Sequence, residues 1–217
     1  GNSGGCRPKC LLHDEEGAWL VKFRHTYDPK DMGEMEYLYN EIARKCGITV
    51  PDFKLIDGKY FATKRFDIEN GERLHIATAG ALLNESIVHP KLEYKTLLHL
   101  TGYLTQDPKQ VDEMFRRMVF NVLTGNKDDH AKNFSFICRE GVWSLAPAYD
   151  LTRCSEGYNG EHATSVNNNG KPTVEDLIAV GESIRIPRKK GMDMILSMTE
   201  GCADISSEII QNRIFQN

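Results

Sequence analysis

The sequence carries its most informative run of polar residues at positions 126–136, which read NKDDHAKNFSF. Before this run, residues 107–125 place apolar side chains at helical spacing, which predicts a buried helix that stops at Gly125. After its polar part, residues 134–137 and 142–145 are typical of a β-hairpin. Polar loops held between rigid elements often carry function. We therefore expect the functional site at this loop.

Three oxygen-bearing side chains flank the predicted hairpin. Asp128 and Asn133 lie in the loop that enters it, and Asp150 follows the strand that leaves it. Closing the hairpin brings its two ends together, so we expect all three groups in one place. Asp and Asn also form turns through local hydrogen bonds, and a single residue of this kind would be interpreted that way. Three of them at these positions favour an oxygen-rich site, which suits Mg²⁺ together with nucleotide phosphates.

The spacing of these residues is similar to that of the protein-kinase catalytic loop. In that loop a metal-binding Asn follows the base Asp at the same interval, and a later Asp completes the metal site. The resemblance implies that Asp128 accepts the proton of the substrate hydroxyl. It also implies that Asn133 and Asp150 hold Mg²⁺ across the phosphates of ATP.

The N-terminal third predicts a small sheet. Residues 10–12 and 18–23 are typical of one hairpin, and residues 53–56 and 60–64 are typical of a second. The second pair is joined by the Asp57–Gly58 turn, a strong hairpin signal because Gly adopts positive φ without a steric cost.

A helix is predicted between the two hairpins, from Asp31 to Gly47, with Asp31 and Glu34 as a capping box. Lys22 lies in the preceding strand, where a kinase keeps the lysine that contacts phosphates. Glu36 could form the ion pair with this lysine that kinases require. The alternative interpretations are an ordinary strand lysine and a solvated helix face.

The first nine residues, GNSGGCRPK, form a Gly-rich segment. Gly4 and Gly5 allow backbone N–H groups to approach phosphate oxygens, and Arg7 and Lys9 add positive charge. The segment matches neither G-x-G-x-x-G nor a Walker loop, and a flexible terminus would have the same composition.

Length and composition indicate an ordinary globular protein. The chain has 217 residues, of which 40% are hydrophobic and 27% charged, and this excludes disordered and collagen-like classes. No apolar run approaches the length of a membrane span and no signal peptide opens the chain, so we expect no membrane association and a cytoplasmic location. The net charge of -4 predicts no direct DNA binding by the chain alone. The six cysteines lack metal-site spacing and are expected to be thiols.

The chain resembles the HipA-like serine/threonine kinases, which are toxins of bacterial toxin–antitoxin pairs. The resemblance covers nearly the whole chain and rests on a D-x-H-x-K-N block at residues 128–133 and an A-P-x-Y-D block at residues 146–150. Shorter matching stretches are residues 3–9, 20–23, 36–43, 47, 50–51 and 64–67. The resemblance implies the following roles: Asp128 is the base, Asn133 and Asp150 bind Mg²⁺, Lys22 contacts phosphates, His130 and Lys132 belong to the catalytic block, and Lys64 to Phe66 form the adenine-side hinge.

The implied fold is α+β and two-lobed, as in protein kinases. Residues 1–66 would form a sheet-containing N-lobe and residues 67–217 a mainly helical C-lobe, with ATP between them. The implied reaction is transfer of the γ-phosphoryl group to a Ser or Thr hydroxyl of a protein substrate, such as an aminoacyl-tRNA synthetase, with growth arrest as the outcome. In relatives a serine of the Gly-rich loop is phosphorylated, and Ser3 is the only hydroxyl in this segment.

The resemblance also implies partners, namely a DNA-binding antitoxin and a separate small protein. The family usually begins with an N-terminal subdomain that has no counterpart here, and in split members a second protein supplies it. Two alternatives stay open from the sequence. The chain could be a catalytically quiet module that joins an antitoxin in a repressor, or it could be a small-molecule kinase with a closed acceptor pocket.

Overall fold

The computed structural model of the chain describes residues 7–26, 28–86, 91–154, 157, 159–203 and 205. The strands are β1 Lys9–Asp14, β2 Gly17–Lys22, β3 Phe53–Ile56, β4 Tyr60–Lys64, β5 Ile68–Glu69, β6 Glu72–Arg73, β7 His75–Thr78, β8 Ser135–Arg139 and β9 Val142–Leu145. The α-helices are α1 Met32–Lys45, α2 Ala79–Leu82, α3 Tyr94–Thr105, α4 Pro108–Thr124, α5 Val174–Ser183 and α6 Arg188–Gly201, and a short 3-10 helix spans Ala131–Asn133.

The N-terminal sheet is antiparallel, with strand order β1-β2-β4-β3, and it confirms both predicted hairpins. In the turn between β3 and β4, Asp57 and Gly58 have φ values of 52° and 69°. Both residues are left-handed, as a type I′ hairpin turn requires. Strand β2, which carries Lys22, lies inside the sheet rather than at its edge.

Helix α1 packs on strands β3 and β4 and confirms the predicted helix. The predicted capping box is wrong, because Asp31 makes no side-chain cap hydrogen bond. The backbone of Asp31 has φ of -91° and ψ of 14°, which is not extended. An N-cap residue normally has an extended backbone, from which its side chain reaches the N–H groups of the first turn. Gly47 follows the helix with φ of 74°, the left-handed conformation that Gly adopts readily.

The larger core lies between the helices that follow residue 90 and also takes in Tyr39, Ile42 and Ala43 of α1. Helix α4 packs on α3 and α6, and it begins where predicted, with the Asp107 side chain accepting a hydrogen bond from Lys109 N at 2.9 Å. Gly125 ends it at φ 66°. The fully buried apolar side chains of α4 are Met114, Phe115, Met118, Val119 and Phe120. This is the buried helix that the apolar spacing predicts.

The predicted hairpin of β8 and β9 is part of a three-stranded sheet, because β7 pairs with β8 on its other side. Neither β7 nor helix α3 was predicted. The register places Thr78 opposite Ser135, and Ala79 N donates to Phe134 O at 2.7 Å. The polar loop is therefore fixed to a sheet at its exit and to α4 at its entrance.

None of the helices among the described residues is long and apolar enough to cross a membrane. The five described cysteines form no disulfide. Ile205 is buried in the core, as the last apolar stripe predicts. The other residues of that stripe, Ile209, Ile210 and Ile214, lie outside the described part of the chain, as do Ser3, Gly4 and Gly5.

Candidate active site

The centre of the candidate site is the side chain of Lys22. Its ammonium contacts the carboxylate of Glu36 on α1 and that of Asp150, which follows β9. The side chains of Lys22 and Glu36 are 9% and 2% exposed. The fold thus unites three charged groups from three separate parts of the chain. Removing one member of such a buried set is costly, because it leaves an uncompensated charge.

The protonation states of Lys22 and Asp150 follow from their burial and from the charges beside them. Burial by itself lowers the pKa of Lys22, but the nearby carboxylates of Glu36 and Asp150 outweigh burial and raise it. Burial likewise acts to raise the pKa of Asp150, and the ammonium of Lys22 outweighs it and holds this pKa below its usual value. At neutral pH, Lys22 is therefore a cation and Asp150 a carboxylate.

The backbone at Asp150 is left-handed, with φ of 53°. This conformation costs a non-Gly residue about 1–2 kcal/mol, and Asp tolerates it better than most. The segment before it is held in place, since Ala148 N donates to Thr49 O at 2.8 Å. Such conformations concentrate at functional sites, where the surrounding structure imposes them. This one presents the carboxylate of Asp150 to Lys22.

The polar loop is closed by its own side chains. Asn133 Nδ2 donates to Asp128 O at 2.7 Å, and His130 Nε2 lies 3.6 Å from Asp128 Oδ1. Lys132 points an exposed side chain outward, while its backbone carbonyl accepts from the Tyr149 hydroxyl at 2.6 Å. The loop is therefore tied to the residue next to Asp150.

The carboxylate of Asp128 is open to solvent, and its pKa is raised. Its side chain is 58% exposed, and it can meet a substrate from solvent. Partial desolvation raises the pKa of Asp128. His130 acts to lower this pKa, whereas the negative charge of Asp150 raises it further. The effect of the Asp150 charge on Asp128 indicates that the two carboxylates lie near each other. A raised pKa favours a carboxylate that takes up protons.

The oxygens of Asn133 and Asp150 are suitable ligands for Mg²⁺. The amide nitrogen of Asn133 faces the backbone of Asp128, and no described residue donates a hydrogen bond to its Oδ1. Among the described residues, no group of three or more His, Cys, Asp and Glu converges into a metal site. A carboxylate and an amide oxygen fit Mg²⁺, because this ion is usually held by few protein ligands plus substrate phosphates.

A cavity of about 690 Å³ opens beside this centre and is large enough for a nucleotide. It combines apolar walls with several cations; its lining includes Lys9, Leu20, Lys22, Lys64, Phe66, Arg73, Ile76, Tyr149 and Asp150. The rings of Phe66 and Tyr149 stack with centroids 5.6 Å apart. Arg7 lies next to the same centre but outside this cavity. Its guanidinium pairs with Asp28 at 2.9 Å, and together with Lys22 and Glu36 it lines a smaller cavity of about 210 Å³.

A buried network beneath the loop was missed from the sequence. Asp129, which is 1% exposed, accepts hydrogen bonds from the Tyr94 hydroxyl at 2.8 Å and from Thr164 N at 3.2 Å. His162 Nδ1 lies 2.9 Å from the same carboxylate. Asn121 Nδ2 donates to the Tyr94 hydroxyl at 2.9 Å. The two adjacent Asp residues were the signal available in the sequence, since one can face solvent while the other anchors the loop.

Replacing Tyr94 with Phe should lower the free energy of unfolding by about 1–3 kcal/mol, because two buried partners, Asp129 and Asn121, lose a hydrogen bond. Urea unfolding measures the difference, with Tyr103→Phe as control, since Tyr103 is 80% exposed. The control should unfold like the wild type. Equal stability of Tyr94→Phe and the wild type would show that this network does not anchor the loop.

The chain is similar to a known domain family and to curated kinases. The family profile of the HipA-like C-terminal domain matches residues 1–205. "Putative kinase Y4dM" of Sinorhizobium fredii is 30% identical over 169 residues, which cover 70% of this chain and 41% of that protein. The serine/threonine-protein kinase toxin HipA of Shewanella oneidensis is 24% identical over 183 residues, 70% of this chain and 42% of that protein. The chain thus spans less than half the length of these relatives.

Two solved structures share the fold. HipA of Shewanella oneidensis, solved with HipB and its operator DNA, superposes with a TM-score of 0.76 at 20% identity, covering 97% of this chain and 58% of that one. The proinflammatory kinase CtkA of Helicobacter pylori gives 0.59 at 16% identity, covering 92% and 90%. The α+β fold is therefore kinase-like, as predicted. With a family profile that spans nearly all of its length, the chain belongs to the HipA-like C-terminal domain family.

Proposed function

We propose that this chain is the kinase core of an ATP-dependent enzyme that phosphorylates Ser or Thr in a protein substrate. The observation that carries the proposal is the convergence of Lys22, Glu36 and Asp150 beside the cavity of about 690 Å³, within electrostatic reach of Asp128. A cation held by an acidic side chain, an ionised carboxylate and a proton acceptor beside one cavity are what phosphoryl transfer requires.

Each group has a defined task in this proposal. Asp128 takes the proton of the acceptor hydroxyl, and Lys22 neutralises phosphate charge while Glu36 holds it in place. Asn133 and Asp150 would hold Mg²⁺, which supplies further charge neutralisation when bound. The enzyme acts mainly by positioning the acceptor and by stabilising negative charge, because the transferred group needs little covalent assistance.

The remaining site residues bind the nucleotide, orient the Asp128 carboxylate or meet the protein substrate. Lys9, Lys64 and Phe66 line the cavity. The two lysines would face the phosphates of ATP, and the ring of Phe66 would face the adenine. His130 orients the Asp128 carboxylate from 3.6 Å. Lys132 is exposed and would meet the protein substrate.

The Gly-rich segment and the lobe division complete the proposal. Gly4 and Gly5 would cover the phosphates, and Arg7 would support that segment through its ion pair with Asp28. The two lobes are residues 1–66 and 67–217, with ATP between them. The N-terminal sheet and α1 would then supply Lys22 and Glu36, and the C-lobe Asp128, Asn133 and Asp150.

The acceptor class can be determined by incubating the chain with γ-labelled ATP, Mg²⁺ and a bacterial lysate that is split into macromolecules and small molecules. Label on Ser or Thr of a protein is the expected result, and an aminoacyl-tRNA synthetase is the first candidate. Label confined to the small-molecule fraction would make the chain a small-molecule kinase. No label in either fraction would make it a catalytically quiet module.

The rate of phosphoryl transfer should fall at acidic pH, through the raised pKa of Asp128. The base works only when ionised, so activity is present above this pKa and is lost as pH falls through it. The acid limb of kcat/KM should therefore lie above the ordinary Asp value of about 3.9. Rates between pH 4 and 8 test this, with circular dichroism at each pH as a control for unfolding. A rate that stays constant down to the ordinary Asp range would contradict the assignment.

We also propose that the chain acts with a DNA-binding antitoxin and with a separate small protein, with growth arrest as the outcome. The related HipA of Shewanella oneidensis was solved with HipB and operator DNA. With a net charge of -4, the chain alone should bind DNA weakly at physiological salt, whereas a basic antitoxin should confer binding. Gel-shift titrations with and without the antitoxin test this. Tight, sequence-specific binding by the chain alone would contradict it.

A further inference from the structure

Two thiols lie in contact at a place remote from the candidate active site. Cys46 caps the C-terminus of α1 and Cys202 caps the C-terminus of α6. Their Sγ atoms are 3.9 Å apart, although 156 positions separate them in the chain. A disulfide bond is about 2.05 Å long, so side-chain rotation and a small closure of the two helix ends would join them.

The packing around the pair leaves room for the Cys46 sulfur. A Cβ at Gly201 would come within 2.6 Å of Cys46 Sγ, so only Gly allows this approach at that position. Cys202 is 1% exposed and belongs to the main core, whereas Cys46 is partly exposed. The pair therefore combines one thiol that solvent reaches with one that it does not.

The surroundings of Cys46 favour its thiolate. It lines an open cavity of about 700 Å³ together with Lys45, Arg116, Lys189, Lys190 and Asp193, and Lys190 is paired with Asp112. Cations outnumber the carboxylate at this cavity, and the thiolate is the reactive form of a cysteine. The hydrogen bond from Cys202 also lowers the pKa of Cys46, against the effect of burial. Contact with Cys46 and burial raise the pKa of Cys202, which keeps its proton.

We propose that Cys46 and Cys202 are a modification site, at which a peroxide oxidises the pair to an intramolecular disulfide. The Cys46 thiolate attacks one oxygen of hydrogen peroxide and becomes a sulfenic acid, and the hydroxide that leaves takes up a proton to form water. The sulfur of Cys202 then attacks the Cys46 sulfur, the S–S bond forms, and a second water leaves with the Cys202 proton. Two thiols are oxidised and one peroxide is reduced. A partly exposed thiolate beside a resolving cysteine is the usual arrangement for this chemistry.

The disulfide would tie α1, which carries Glu36, to the C-terminal helix α6. It would also restrict the unfolded chain, because it closes a loop across 156 positions. The oxidised chain should therefore melt at least about 5 °C above the reduced chain. This consequence does not depend on kinase activity.

The test exposes the reduced chain to hydrogen peroxide, alkylates the remaining thiols, and maps peptides by mass spectrometry without reduction. The expected result is a peptide pair linked through Cys46 and Cys202, together with the rise in Tm. Alkylation of both residues after oxidation, or linkage of either to another cysteine, would overturn the proposal.

Three variants separate the pair from general oxidation. Cys46→Ser should abolish the Tm rise, and Cys202→Ala should leave a sulfenic acid on Cys46 that dimedone traps. Cys138→Ser is the matched control and should keep both the link and the Tm rise. A Tm rise that persists in Cys46→Ser would overturn the proposal, as would a Cys138→Ser chain that fails to form the link.

Discussion

Replacing Asp128 with Asn lowers the rate of phosphoryl transfer by about 10²–10⁴-fold in our account, the range expected for loss of a general base. The amide is isosteric but does not accept the proton of the acceptor hydroxyl. The loop should keep its shape, because Asn133 bonds to the backbone oxygen of Asp128 rather than to its side chain. Nucleotide affinity should therefore stay within a small factor of that of the wild type.

Initial rates with γ-labelled ATP and titration of a fluorescent nucleotide measure the two quantities separately. Asp57→Asn is the matched control. Asp57 is exposed in a hairpin turn with φ of 52°, a conformation that Asn also accepts, and its replacement should change neither quantity. A variant at position 128 with a near-normal rate would remove Asp128 from the reaction. Equal losses of binding and rate would assign it to the nucleotide site instead.

Replacing Asp150 with Asn should weaken Mg²⁺-dependent ATP binding by at least about tenfold, because an ionised oxygen ligand is lost. Asn is chosen over Ala because it tolerates the left-handed backbone at this position. The binding of ATP without Mg²⁺ should not weaken, since Lys22 loses one carboxylate partner and its charge becomes more available to phosphates. The variant thus distinguishes a metal ligand from a residue that only supports the fold.

Calorimetric titrations with ATP in the presence of Mg²⁺ or EDTA measure this difference. Asp193→Ala, an exposed position on α6, is the control and should bind like the wild type. An unchanged Mg²⁺ dependence in Asp150→Asn would show that Asp150 is only structural.

The sequence predicted those elements that are determined by a turn or by apolar spacing within a short stretch of chain. The Asp57–Gly58 turn determined the second hairpin, and the apolar spacing of residues 107–125 determined helix α4. Strand β7 and helix α3 were missed for different reasons. Strand β7 forms only by pairing with β8, far along the chain. Helix α3 begins without a capping signal, since Glu93 makes no side-chain cap hydrogen bond.

The candidate site likewise contains residues that a short stretch of sequence predicts and residues that only long-range packing brings together. The loop from Asp128 to Asn133 was readable because its residues are close in sequence and lie before a hairpin. The contact of Lys22 with Asp150 spans 128 positions, and only the resemblance to kinases connected them beforehand. Asp129 could not be assigned to the core, because its partners Tyr94 and His162 come from distant segments on either side. Long-range packing determines which of two neighbouring carboxylates faces solvent.

We propose that ATP lies in the cavity beside Lys22, with Mg²⁺ held between its phosphates and the loop. A crystal structure of the chain with Mg²⁺ and a non-hydrolysable ATP analogue would test this arrangement. We expect phosphate oxygens next to Lys22, and Mg²⁺ at about 2.0–2.1 Å from Asn133 Oδ1 and a carboxylate oxygen of Asp150. A nucleotide bound in another cavity, or an ion that neither residue contacts, would contradict it.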